Sequence, residues 1–292
     1  MPLPHWLHQL ETCPSTNRWI MEHLHFLNHG DVAFTRRQTA GRGQYGRSWQ
    51  SPQGVLTATF VLQDFPVARI HLLSLVAGLT VIDTLETLMP NLQGIPKLKW
   101  TNDILIHDRK VAGILCETRS SSSNSLGENP LQKRPAEKVS GLTVPGLTTL
   151  ELTELTTSGL TTAIVGIGLN RSVDFAKAGI DVAQIGNPVS LHQVSKKIPT
   201  DFQLLSVLRD RLMQSATMKA IMQLECDLNS VDWMNQVRSR DALLGKKIEF
   251  ETPNGLITGV SEGINDRGEL LIKDNYGVVQ AFNSGRILKF KS

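Results

Sequence analysis

The apolar positions of this chain change period from stretch to stretch, and the changes mark out its elements. After Ser15-Thr16-Asn17, residues Trp19, Ile20, His23, Leu24 and Leu27 recur at the spacing of one helical face. Ser or Thr suits the cap of such a helix, and Gly30 suits its stop. Residues 31–38 alternate Val32 and Phe34 with smaller or polar neighbours, which is strand period. Residues 55–62 are β-branched or apolar throughout and predict a central strand covered on both sides, with no polar face. Leu72, Val76, Leu79, Ile82 and Leu85 form one stripe of a long helix over 70–89, ended by Pro90. Residues 96–117 read as two strands joined at His107-Asp108-Arg109, and 161–168 as a further buried strand. A helix capped by Asp201 runs to about residue 225, with Phe202, Leu205, Leu208 and Leu212 on one face. A shorter helix covers 231–240.

From about residue 243 the pattern shortens to strands at 247–251, 256–262, 269–273, 278–282 and 287–290. Turns fall at Asn254-Gly255, Asp266-Arg267-Gly268 and Asn275-Tyr276-Gly277. Five short strands in roughly 50 residues predict a small barrel of SH3-like type. Residues 119–159 differ from both regions. They begin with a serine run, carry Pro130, Pro135 and Pro145 and keep no period, so they read as an insertion between two sheet strands.

Composition narrows the classes. At 292 residues and 40% hydrophobic content the chain suits one large domain or two unequal ones. Thirty basic against 27 acidic residues, a net charge of +3, lack the concentrated basic face of a duplex-binding protein. Cys13, Cys116 and Cys226 form no CxxC, which points to a reduced, cytoplasmic compartment. The first residues show no signal-peptide pattern, and the apolar run over 72–82 is shorter than a membrane span. His25 and His29 have i,i+4 spacing, but no acidic or cysteine ligand stands near them, so they read as surface histidines.

The chemistry concentrates in residues 38–54, QTAGRGQYGRSWQSPQG. Gly41, Gly43, Gly46 and Gly54 let backbone approach a ligand, and their exposed amides are expected to form an anion nest. Arg42 and Arg47 add charged forks for phosphate or carboxylate. The loop joins two strands, which argues against a Rossmann or P-loop site, since both need a helix behind the glycines. Downstream, Lys99, Asp103 and Lys110 bring opposite charges to one strand pair, a set able to hold a phosphate and a divalent cation.

GRGQYGRSW resembles the glycine-arginine loop of biotin–protein ligases. In the same order, KWTNDI (99–104), KVAGIL (110–115) and VGIGLN (165–170) are similar to the family's KWPNDI, KLAGIL-type and GIGxN stretches. The resemblance runs from about Ser15 to the C-terminus and implies an α+β fold, a mixed central sheet flanked by helices with a small C-terminal SH3-like barrel. It divides the chain into a catalytic domain over 1–240, with the insertion at 119–159, and a barrel over 241–292. It implies ATP-dependent transfer of biotin to a lysine of a biotin carboxyl carrier protein of acetyl-CoA carboxylase, through biotinyl-5'-AMP. Lys110, Arg42 and Lys99 would be catalytic. Ser15, Thr16, Asn17, Gln38, Gly41, Arg42, Lys110 and Gly113 would take biotin. Gly43, Gln44, Arg47, Trp49, Lys99, Asn102 and Asn170 would take ATP, and Asp103 would position Mg²⁺.

Two positions depart from the family pattern. Gln44 stands where many members have Arg, which implies weaker retention of the adenylate, and Thr101 replaces a proline. Only fourteen residues precede Ser15. The expectation is therefore a stand-alone ligase without a DNA-binding domain, acting as monomer or homodimer and away from membranes. The nearest rival is a lipoate–protein ligase. A nucleic-acid-binding module is a more distant one, and the low aromatic content of 5% argues against it.

Overall fold

The computed structural model describes residues 3–119, 159–180, 187–222 and 232–291. The insertion at 119–159 therefore lies almost wholly outside the described residues, as do the end of the helix predicted to reach 225 and Cys226. In chain order the elements are β1 (Leu7–Gln9), α1 (Thr16–His23), β2 (Val32–Thr35), β3 (Val55–Pro66), α2 (Leu73–Leu88), β4 (Lys97–Lys99), β5 (Asp103–Ile106), β6 (Arg109–Arg119) and β7 (Leu160–Asn170). There follow α3 (Leu191–Val194), α4 (Asp201–Gln214), α5 (Ala216–Met222), α6 (Trp233–Ser239), β8 (Lys247–Thr252), β9 (Gly255–Ile264), β10 (Leu270–Lys273), β11 (Val279–Phe282) and β12 (Arg286–Lys291).

Two sheets organise the chain. The first has seven strands in the order β1-β2-β3-β7-β6-β5-β4, mixed because β1 runs parallel to β2 and the other neighbours are antiparallel. The second has five antiparallel strands in the order β11-β10-β9-β8-β12. Its strands fall close to the predicted spans. Its end strands do not pair with each other among the described residues, so it is an open sheet rather than a closed barrel.

Helices cover both faces of the first sheet. Leu56, Ala58, Phe60 and Leu62 of β3 point into the main core with α2 and α4. Val61, Ala33 and Ile164 point the other way and pack against Ile20 of α1. The span 67–88 is apolar and long enough by length and composition to cross a membrane, yet here it packs as the core helix, 61% buried. Buried Glu86 anchors α2 through Arg240, 2.8 Å away.

Several expectations are corrected. β3 does have a polar face: Thr57 and Thr59 alternate with the core-facing residues and are buried. Helix α1 stops at His23, well before Gly30, which instead turns the chain into β2 with φ 81°. Ser15 is its cap, its side chain accepting from the Arg18 amide. The cap of α4 is Thr200, in a reciprocal capping box with Gln203, and Asp201 is only its first residue. Phe202 is half exposed and stacks on Trp6, with ring centroids 6.3 Å apart. Residues 96–117 form three strands, because Trp100-Thr101-Asn102 turns the chain back between β4 and β5. Strand β1 and helix α3 were not foreseen, being too short to show a period.

Backbone and side-chain bonds join the two sheets. Leu98 of β4 donates to the Arg240 carbonyl and accepts from the Ala242 amide, at 2.7 and 2.9 Å. The Trp100 indole N–H donates to the Gly268 carbonyl at 3.0 Å.

Candidate active site

Strand register builds the floor of one cleft. Thr57 of β3 lies opposite Gly168 of β7, Gly168 opposite Gly113 of β6, Gly113 opposite Asp103 of β5, and Asp103 opposite Lys99 of β4. These five residues form one row across five strands. At about 4.8 Å per strand the row spans roughly 19 Å. A second row sets Thr59, Gly166 and Leu115 side by side. The rows have small residues where the cleft is deepest. A Cβ on Gly168 would collide with the Trp49 ring, and one on Gly166 with the Asn17 amide oxygen. The resulting cleft measures about 460 Å³.

Its first end is a buried polar network under the start of α1. The Thr16 amide donates to Gln38 Oε1 at 2.7 Å, and the Gln38 side-chain amide donates to Ser51 Oγ at 3.4 Å. Thr59 Oγ1 lies 2.7 Å from both Thr16 Oγ1 and Asn17 Oδ1, so its single proton serves one of them. Asn17 Nδ2 donates to the Leu115 carbonyl and to Glu117 Oε2, at 3.1 and 2.8 Å.

The other end is charged. Lys110 Nζ sits 2.5 Å from Asp103 Oδ1, and Lys99 Nζ lies 3.7 Å from Oδ2. Burial pushes the Asp103 carboxyl up, but the ammoniums of Lys110 and Lys99 outweigh it and hold the group below the ordinary carboxylate value. Burial depresses Lys99, and Lys110 and Arg47 add to the effect against the pull of Asp103. Asn102 Nδ2 donates to the Ile114 carbonyl, and Asn170 Nδ2 to the Lys110 carbonyl, which locks the strand ends around the cleft.

The glycine-arginine loop covers this floor. Three of its amides are engaged, those of Gly43, Arg47 and Trp49 bonding to the carbonyls of Arg47, Gln44 and Gly41. Gly41 itself does not line the cleft. It is buried beneath the loop, where a side chain would meet the Trp49 carbonyl. The Trp49 ring packs inward, 5.4 Å from Lys110 Nζ in a cation–π contact, with its N–H buried and without a partner among the described residues. At the loop tip Tyr45 Oη donates to the Gly285 carbonyl and accepts from its amide, both at 3.0 Å.

Every other site residue expected from the sequence lines the cleft: Ser15, Thr16, Asn17, Gln38, Arg42, Gly43, Gln44, Arg47, Trp49, Lys99, Asn102, Asp103, Lys110, Gly113 and Asn170. Sequence reasoning missed Ser51, Thr57 and Thr59, although the period-2 threonines of β3 were the signal. It also missed Glu117, which bonds to the cleft residues Asn17 and Arg42, and the β12 segment with Arg286 and Phe290, whose ring lies 5.8 Å from Lys99 Nζ.

Asp103 is the carboxylate expected to position Mg²⁺. Two ammoniums already neutralise it, and no group of three or more His, Cys, Asp or Glu side chains among the described residues is placed to hold an ion. The protein atoms alone therefore do not fit a resident metal.

A model of the "Biotin/lipoate A/B protein ligase family" matches residues 10–128, and one of the "Biotin protein ligase C terminal domain" matches 243–289, together more than half of the chain. The chain belongs to the biotin/lipoate A/B protein ligase family. Within that family it is 36% identical over 121 residues to the bifunctional ligase/repressor BirA of Escherichia coli, a match covering 40% of this chain and 36% of the relative. It is 41% identical over 91 residues to a biotin–[acetyl-CoA-carboxylase] ligase of Mycobacterium tuberculosis, covering 30% of this chain and 34% of the relative. These matches thus span about a third of each relative's length. The fold extends further than the sequence identity. A biotin protein ligase of Aquifex aeolicus, solved in complex with biotin and ATP, superposes with a TM-score of 0.67 at 22% identity over 98% of both chains. For this family member both matched segments contribute to the cleft, the second through β12.

Proposed function

We propose that the protein uses ATP to activate biotin as biotinyl-5'-AMP and then transfers the biotinyl group to a lysine of a biotin carboxyl carrier protein of acetyl-CoA carboxylase. The observation that carries this reading is the single row from Thr57 to Lys99, which joins an uncharged hydrogen-bonding end to a cationic end across three small or paired positions. The polar end, with Ser15, Thr16, Asn17 and Gln38, suits a neutral ureido ring. The cationic end suits a carboxylate meeting an α-phosphate. The carrier assignment is supported by the names of relatives such as that of Mycobacterium tuberculosis.

In the first step the biotin carboxylate oxygen attacks the α-phosphorus of ATP and pyrophosphate leaves with the electron pair of the broken P–O bond. In the second, a neutral lysine amine of the carrier attacks the acyl carbon, AMP leaves and the amine loses a proton. Neither step needs a nucleophile from the enzyme. The first needs two anions held together, and both need water kept away. Lys110 and Arg42 would draw the carboxylate and α-phosphate together, and Lys99 and Arg47 would stabilise charge building on the phosphates. Asp103 holds Lys99 and Lys110 in place. Mg²⁺ would enter on the phosphates of ATP, since it is usually bound by few protein oxygens and several phosphate or water oxygens.

The test is transfer of labelled biotin to a purified carrier domain in the presence of ATP and Mg²⁺. Label on one lysine, lost when that lysine is replaced by arginine, supports the reading. Absence of label with folded ligase and carrier contradicts it.

A further inference from the structure

Glu117 belongs to no motif that the sequence singled out, yet it stands where two cleft residues meet. Its Oε1 accepts from Arg42 Nη2 at 2.9 Å, and its Oε2 accepts from Arg42 Nη2 at 3.0 Å and from Asn17 Nδ2 at 2.8 Å. The carboxylate is mostly buried, with 27% of its side chain exposed against 50% for Arg42. A carboxylate bonded to two residues of an anion-binding cleft opposes the field that the cleft's cations create, so its presence asks for a reason beyond charge balance.

The geometry supplies one. Both carboxylate oxygens take the same terminal nitrogen of Arg42. Among the described residues Nε and Nη1 of Arg42 have no partner, so the guanidinium is held by one corner and keeps its other donors for an anion. On Asn17 the two N–H donors are both engaged, by Glu117 and by the Leu115 carbonyl. The amide is therefore fixed with Oδ1 towards Thr59 and Gly166, as an acceptor on the cleft floor. Asn17 lies at the polar end and Arg42 belongs to the glycine-arginine loop, so one carboxylate ties the loop to the start of α1.

We propose that Glu117 is a positioning residue, which orients Arg42 as an anion clamp and Asn17 as an acceptor before the acid substrate arrives. This rests on the ligase reading above for the identity of that acid. Glu117→Gln discriminates between the two partners. A glutamine that keeps oxygen at the Oε2 position still serves Asn17, but it removes the charge and replaces the Oε1 acceptor of Arg42 Nη2 with an N–H donor, leaving one neutral acceptor there. Glu117 therefore acts on Arg42 through its charge and on Asn17 through its shape.

The first test needs no ligand. Trypsin must take an arginine side chain out of its surroundings to cut after it, and Arg42–Gly43 and Arg47–Ser48 lie in the same loop. In Glu117→Gln the Arg42 cut should accelerate about 2- to 5-fold relative to the Arg47 cut, the range expected for losing a half-exposed ion pair. A general loosening of the loop would speed both cuts alike, and an unchanged ratio overturns the proposal. The second test is biotin-dependent exchange of pyrophosphate into ATP. Glu117→Gln should raise the KM for biotin by about the same 2- to 5-fold with a smaller change in kcat, and should add less than about 2-fold when Arg42 is already alanine, since residues acting as one unit are not additive. Full additivity with Arg42→Ala, or a fall in kcat alone, overturns it. If the unaltered protein shows no biotin-dependent exchange, the ligase reading fails by itself, and the trypsin ratio still decides whether Glu117 holds Arg42.

Discussion

Asp241 sits at the joint between the two sheets, and its titration offers a quantitative check on how that joint is built. Its backbone bridges to Leu98 of β4, and its Oδ1 accepts from the Leu243 amide at 2.8 Å. Oδ2 is buried and has no partner among the described residues. Burial raises the carboxyl from 3.8 to about 6, against the opposing pull of the Leu243 and Leu244 amides and of Lys246 and Lys97. The sign follows from proton binding: between pH 3.8 and about 6 the folded chain holds more proton than the unfolded one, so stability falls as pH rises through that window and is level above it. About two pH units at 1.36 kcal/mol each make the charged carboxylate cost about 3 kcal/mol at pH 8. The same linkage leaves about 1.6 kcal/mol at pH 5. Asp241→Asn removes the titration but still buries an unpaired polar atom, which takes back about 1 kcal/mol. The variant should therefore be more stable than the parent by about 2 kcal/mol at pH 8. That pH-independent penalty cancels when the two pH values are compared, so the gap should widen by about 1.4 kcal/mol between pH 5 and pH 8. Urea unfolding of both proteins at both pH values reads it directly, provided the m-values agree. A gap that stays constant with pH, or a variant less stable at pH 8, would refute the burial of the Asp241 carboxyl at this joint.

Three further outcomes follow from the cleft. Lys110→Ala leaves the buried Asp103 with only the more distant Lys99, so it should reduce pyrophosphate exchange at least about 100-fold and lower stability by about 3 kcal/mol, measured by exchange kinetics and urea unfolding. Gly168→Ala puts a methyl group into the Trp49 ring, so it should cost about 1–3 kcal/mol or expel the indole from the cleft, seen as a red shift of tryptophan emission. Tyr45→Phe deletes both bonds to Gly285, so trypsin should cut after Arg47 about 2- to 5-fold faster in the ligand-free protein, and an unchanged rate would show that the loop tip is not held there.

Much of this architecture was legible in the chain because its signals are local. Period and turn residues give the five strands after residue 243, and the glycine-arginine string marks its own loop. What escaped depends on register and on distance in sequence. Thr57 and Thr59 were absorbed into an apparently all-apolar strand, because β-branched threonine passes for a core residue until its alternation is set against Gly166 and Gly168. Glu117 closes a strand that reads as core, and only pairing across 75 residues brings it to Arg42. The loop amides were expected to be open, but a short hairpin satisfies three of them internally, those of Gly43, Arg47 and Trp49.

The central claim is that one cleft activates an acid with ATP, and exchange of labelled pyrophosphate into ATP tests it most directly. With Mg²⁺ present, the protein should support exchange with biotin and give none with lipoate or with no acid. Exchange with lipoate alone would keep the chemistry and overturn the substrate, and no exchange with either acid in folded protein would contradict the account.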